Sequence, residues 1–172
     1  MLQALKLIPM ILTLQTSSLV FANKLAEISP EIEKWCSELS ADLMSVKKDS
    51  CLKTNWETSG RSAQGRLVPT VKVGDANGKR VMILGSIHGD EISSVSICFR
   101  WLDIISKSEL DPHLKKINFF IAPLVNIDGY TVRPRTRVNS NGIDINRNFN
   151  TKRWQVDAIS QWKLKTKSDQ RR

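Results

Sequence analysis

Apolar residues at Ile32, Trp35, Cys36, Leu39 and Leu43 recur at three- and four-residue intervals, and this period predicts an amphipathic helix over about Pro30–Met44. The stretch TSGRSAQGRLVP that follows mixes Gly, Ser and Arg without a period, so it reads as turns leading into a strand near Val68–Val73. Asn77-Gly78 in DANGK is a two-residue hairpin signal, which sets the next strand, Arg80–Ser86, antiparallel to its predecessor. Its VMIL core is continuously apolar, as expected of a strand covered on both faces. DEISSVSICFRWLDIIS then places apolar side chains at 92, 95, 98, 99, 102 and 105, the helical period. SELDPHLKK reads as a loop and INFFIAPLV as a second wholly apolar strand. A strand, a helix and a strand in that order make a crossover unit with parallel strands. The expected fold class is therefore α/β, a three-layer α/β/α arrangement around a mixed, mainly parallel sheet.

The start of the chain changes the expected compartment. A single charge, Lys6, precedes the apolar run LIPMILTLQTSSLVFA, which ends in a small-residue site at Val20-Phe21-Ala22. That is a secretory signal pattern over residues 1–22, too short and too diluted by Gln15, Thr16, Ser17 and Ser18 for a membrane span. The mature protein is then exported, periplasmic or secreted, with no stable membrane span. In that compartment two of the three cysteines, Cys36 and Cys51, could pair, while Cys98 lies on the apolar face of its helix as a small hydrophobe. The organisation expected is a signal peptide over 1–22, a helical segment over 23–57 and a larger domain over 58–172.

Charge narrows the partners less than its size suggests. The formal net charge is +9, and much of the excess sits after Lys152. That tail lacks Gly-rich or aromatic interleaving beyond Trp154 and Trp162, so it reads as a solvated helix face, and no nucleic-acid partner is expected.

Candidate chemistry begins where the first apolar strand ends, in GSIHGDE at 85–91. Ligands of such sheets gather beyond the carboxyl ends of the strands. There His88 and Glu91, three residues apart, can aim at one point. A neutral imidazole and a carboxylate are zinc ligands of the catalytic kind. Asp90 reads as an orienting or helix-start acid. After the second apolar strand comes NIDGY, and then TVRPRTRVNSNGIDINRNFN with four arginines, Arg133, Arg135, Arg137 and Arg147, among several asparagines. Guanidinium forks suit carboxylates and polarised carbonyls.

Four stretches in order, GRSAQGR at 60–66, HGDE at 88–91, NIDG at 126–129 and NGIDINRNF at 141–149, resemble the motif set of the carboxypeptidase A-like zinc carboxypeptidases. The similarity spans about residues 58–162 and is greatest to the compact bacterial branch that includes murein peptide amidase. The resemblance implies one zinc ion held by His88 and Glu91. It implies Arg137 as the arginine that polarises the scissile carbonyl, with Arg135 or Arg133 as alternatives because this loop varies in length. Asn146 and Arg147 match the pair that grips the substrate's terminal carboxylate. The substrate implied is a peptide or a murein stem peptide.

The chain also departs from that pattern. Such a site takes a third zinc ligand and a later glutamate as general base. After Glu91 the sequence holds one histidine, His113, and one glutamate, Glu109. Both fall at the amino end of the second strand, roughly 20 Å of strand away from His88. The expectation is that this chain is the front part of a carboxypeptidase domain with an incomplete sheet. Two further readings stand beside the peptidase: a non-catalytic remnant or binding protein, and a small-molecule deacylase of the aspartoacylase type, which shares H-G-x-E and an Asn-Arg pair.

Overall fold

A computed structural model describes residues 28–106, 112, 114–154, 156–157 and 159–160. The signal pattern of residues 1–22, Glu109, His113 and the tail beyond residue 160 lie outside the described residues. Helix α1 spans Pro30–Asp42 and α2 spans Lys48–Leu52. Strands β1 (Val71–Gly74) and β2 (Lys79–Leu84) follow, then α3 (Ser93–Ser106), β3 (Ile117–Ala122) and the short α4 (Ile127–Thr131).

The helical period reads correctly onto α1 and α3. In α1 the side chains of Ile32, Trp35, Cys36 and Leu39 are buried; in α3 those of Val95, Cys98, Phe99, Leu102 and Ile105 are. Proline opens α1, where its missing N–H costs nothing. The two faces meet in one hydrophobic cluster that runs without interruption from Ile32 to Tyr130. Trp35 stands edge-on to Trp56 with ring centroids 5.0 Å apart, and both lie within 6.0 Å of the Phe99 ring. Cys36 and Cys51 form a disulfide that staples α1 to α2, with Cα atoms 5.7 Å apart. Cys98 is a free, buried thiol, and burial pushes its pKa up to about 11.

The sheet differs from the sequence expectation in one respect. Its order is β1-β3-β2, so no hairpin joins β1 to β2. β3 lies between them, antiparallel to β1 and parallel to β2, which does make β1 and β2 run in opposite directions. The Asn77-Gly78 turn is real: the Asp75 carboxylate accepts the Asn77 N–H, and Gly78 N–H donates to the Asp75 carbonyl. It spans the width of an intervening strand because it closes over the start of β3. Asp75 N–H donates to the Ile117 carbonyl, and the Asn118 side chain donates to the Ala76 carbonyl. Gly74, at φ 103°, permits this, since a Cβ there would collide with the Ile117 carbonyl oxygen.

A second difference concerns β2. It is an edge strand, and α3 packs chiefly on β1 and β3, so Met82 of the VMIL core is 66% exposed. On α3 the side chains of Ile97, Trp101 and Ile104 are also exposed. Continuous apolarity here marks a strand with one face and one edge uncovered among the described residues. None of the described helices is long and apolar enough to cross a membrane.

Candidate metal and carboxylate site

The carboxyl ends of β2 and β3 are laced together before they diverge. Gly85 N–H donates to the Ala122 carbonyl at 2.8 Å, and Val125 and Asn126 donate back to the carbonyls of Gly85 and Ser86 at 3.0 and 2.9 Å. Ser86 sits at φ 42°, a left-handed turn that redirects the chain toward His88, whose carbonyl accepts the Ser86 hydroxyl at 2.9 Å. Gly89 lets this loop touch the next one, because a Cβ there would strike the Gly129 backbone.

His88 is only 3% exposed, and its two ring nitrogens face two carboxylates. Nδ1 lies 2.8 Å from Glu91 Oε1 and Nε2 lies 3.1 Å from Asp144 Oδ1. Glu91 is more than half exposed, whereas the Asp144 side chain is 18% exposed. Arg137 closes the group: its Nε donates to Asp144 Oδ2 at 2.9 Å, and its Nη1 lies 3.5 Å from Glu91 Oε1. Burial alone would raise the Asp144 pKa, but the hydrogen bonds from Arg137 and His88, with their charges, hold it below the usual carboxylate range.

A neutral imidazole carries one N–H and can satisfy one of the two carboxylates. Donation from Nε2 to Asp144 leaves the Nδ1 lone pair facing Glu91, and two such acceptors repel unless a proton or a cation lies between them. Zinc–ligand bonds are roughly 2.0–2.2 Å, so two of them easily span the separation between Nδ1 and Oε1. These two donors are close enough to share one cation, with Asp144 in the place of the carboxylate that commonly orients a ligating imidazole. No group of three or more His, Cys, Asp or Glu among the described residues is arranged to hold a metal ion.

The three arginines that the sequence left open make different contacts. Arg133 donates to the carbonyls of Tyr130, Thr131 and Val132 and lies 3.5 Å from Asp42. Arg135 is bonded to Asp42 and stacks over the Tyr130 ring at 4.6 Å. Of the three, Arg137 is the one beside His88 and Glu91. Asn146 joins the group through its backbone N–H, which donates to Asp144 Oδ1 at 3.0 Å; Arg147 is exposed, and its Nη1 donates to the Asn146 carbonyl.

Two aspartates that sequence reasoning gave no role hold this arrangement together. Asp144 caps the 3₁₀ turn Ile145–Arg147, and an Asp two residues ahead of a turn amide is the local signal that could have marked it. Asp128, 3% exposed, accepts from Ser62 Oγ, Gln64 N–H, Arg66 Nη1 and Ser140 Oγ at 2.7–3.2 Å. It thus ties the first and third motifs to each other and to Ser140, just ahead of the fourth, while Arg61 of the first motif reaches Glu31 on α1 with a two-pronged contact. Burial pulls the Asp128 pKa up, and the Arg66, Ser62 and Ser140 hydrogen bonds outweigh it, so the carboxyl titrates below its usual range.

The profile of the zinc carboxypeptidase family matches residues 41–171, and the chain belongs to that family. Among solved structures, thrombin activatable fibrinolysis inhibitor aligns over 80% of this chain and 43% of its own, at 19% identity and a TM-score of 0.50, which supports the shared fold. Murein-tripeptide amidase MpaA from Escherichia coli O157 is 31% identical over 58% of this chain and 38% of its own, with a TM-score of 0.39. Carboxypeptidase A from Helicoverpa armigera is 18% identical over 70% of this chain and 33% of its own, with a TM-score of 0.48. The chain therefore spans less than half the length of each of these three proteins. No curated protein matches it.

Proposed function

We propose that the protein is an exported zinc-dependent hydrolase of the carboxypeptidase type, acting on a peptide or amide bond near a free carboxylate. The observation that carries this reading is the His88 ring held between Asp144 and Glu91 with Arg137 alongside. His88 Nδ1 and Glu91 would hold one zinc ion, and Asp144 would keep the imidazole in the tautomer that binds it. When bound, zinc supplies Lewis acidity toward a carbonyl oxygen and toward water. Arg137 meets negative charge developing on the carbonyl oxygen. Asn146 and the exposed Arg147 fork receive the terminal carboxylate of a peptide or a murein stem peptide. The Cys36–Cys51 disulfide supports export, because such bonds persist in oxidising compartments.

A zinc peptidase site also takes a third protein ligand and a general base. Among the described residues His88 is the one histidine, and no three-donor group forms. That favours a second reading, in which this chain binds zinc and peptide without turning the peptide over. Binding of a short peptide acid and its C-terminal amide to the zinc-loaded chain tests what both readings share. The acid should bind at least about tenfold more tightly, and Arg147→Ala should erase the difference. Equal binding of acid and amide would count against the carboxylate role.

A further inference from the structure

We propose that Asp42, at the end of α1, is a positioning residue that clamps the arginine loop so that Arg137 is delivered to the site while Arg133 and Arg135 are held away. The proposal rests on the reading of Arg137 given above. One carboxylate gathers three donors from α4 and the loop after it, some 90 residues away: Asp42 Oδ2 accepts from the Tyr130 hydroxyl and from Arg135 Nη2, and Arg133 Nη2 approaches to 3.5 Å. Helix stability does not account for an acid there. The carboxylate stands at the negative end of the α1 dipole, and no basic residue occupies that last turn. Its partners are what stabilise it. The Tyr130 hydroxyl first, then Arg135 and Arg133, hold its pKa below the usual carboxylate range against the effect of burial.

The anchor is buried and cross-linked, and the hold is short. α1 is buried through Ile32, Trp35, Cys36 and Leu39 and is stapled by Cys36–Cys51. From Arg135, the chain reaches Arg137 through Thr136, whose N–H donates to the Gly129 carbonyl at 2.9 Å. The Arg137 carbonyl accepts from Asn126 Nδ2 at 3.2 Å. With Asp42 neutralised, Arg133 and Arg135 lose their carboxylate, and Glu91 and Asp144 become competing acceptors for three guanidiniums in a loosened loop. The helical segment thereby sets which arginine the site receives.

Hydrogen exchange on the full 172-residue chain tests the clamp directly. In Asp42→Asn, amides of residues 131–139 should exchange at least about tenfold faster while those of α3 and β3 stay unchanged, and Asp42→Glu should recover most of the protection. Tyr130→Phe, which keeps the packed ring, should give a smaller change of the same kind. Unchanged exchange over 131–139, or an equal acceleration throughout the chain, overturns the proposal. A second arm measures affinity of the zinc-loaded chain for a short peptide acid. Asp42→Asn should weaken it and add nothing in an Arg137→Ala background, whereas additive losses overturn the clamp. If the unaltered chain binds neither zinc nor peptide, or Arg137→Ala changes nothing, the functional reading fails, and the exchange comparison still decides the clamp.

Discussion

Asp144 and His88, 56 residues apart in sequence, meet across the carboxyl edge of the sheet with Asp144 Oδ1 3.1 Å from Nε2. Under the proposed function, a proton shared with Asp144 at Nε2 leaves Nδ1 as the ring nitrogen that serves as a ligand. Replacing Asp144 with Ala should lower zinc affinity by about 10–100-fold while leaving the fold in place. Calorimetric zinc titration of the two proteins checks this, and circular dichroism confirms that the variant is folded.

Asp128 should matter more for stability than for metal binding. Its carboxylate is buried and receives four donors, so Asp128→Ala leaves Arg66 and two hydroxyls without their acceptor and should cost about 3 kcal/mol in a urea titration.

The same group predicts an acid limb. The pKa values of Asp128 and Asp42 are depressed in the folded chain, so their contribution is fully present above the unfolded carboxylate value of about 3.9. It is lost as pH falls through the lower folded values. Thermal midpoints measured from pH 6 down to pH 2 should fall most steeply below about pH 4, and the Asp128→Asn protein should show a shallower fall.

Much of this was legible in the sequence, and the failures have particular causes. The period of Ile32, Trp35, Cys36 and Leu39 identified α1, and the strand-helix-strand order identified the parallel pair β2 and β3, because burial dictates both patterns. Asn77-Gly78 announced a turn, but a turn signal does not say whether its two strands touch, and here β3 lies between them. His88 and Glu91 were marked as neighbours by their three-residue spacing at the end of a strand, and their side chains do lie 2.8 Å apart. Arg137 could not be separated from Arg133 and Arg135, because their different positions show only in long-range contacts, Arg135 with Asp42 and Arg137 with Glu91, which no local pattern reveals. Asp128 escaped because Ser62, Gln64 and Arg66 lie more than 60 residues away, and Asp144 because its capping of Asn146 gives no sign of its contact with His88.

The disulfide predicts a redox dependence of stability. Closing a loop of about 15 residues is worth about 3 kcal/mol in the chain-entropy account, so a dithiol reductant, or Cys36→Ser with Cys51→Ser, should lower the melting temperature by several degrees. Differential scanning calorimetry reads the shift directly.

Among the described residues the β2 edge and the side chains of Met82, Ile97, Trp101 and Ile104 are uncovered, which predicts self-association. Sedimentation velocity should show species larger than the monomer that increase with concentration, and Ile97→Lys with Trp101→Glu should reduce them. A monomer at all concentrations would contradict the assignment of these faces as adhesive.

The central claim is that His88 and Glu91 form a zinc-holding corner, and equilibrium zinc binding by the full chain tests it most directly. The account predicts one zinc ion per chain, bound at least about tenfold more weakly by His88→Ala and by Glu91→Ala. A chain that takes up no zinc, or a His88→Ala protein that binds it as tightly as the unaltered chain, would contradict the account.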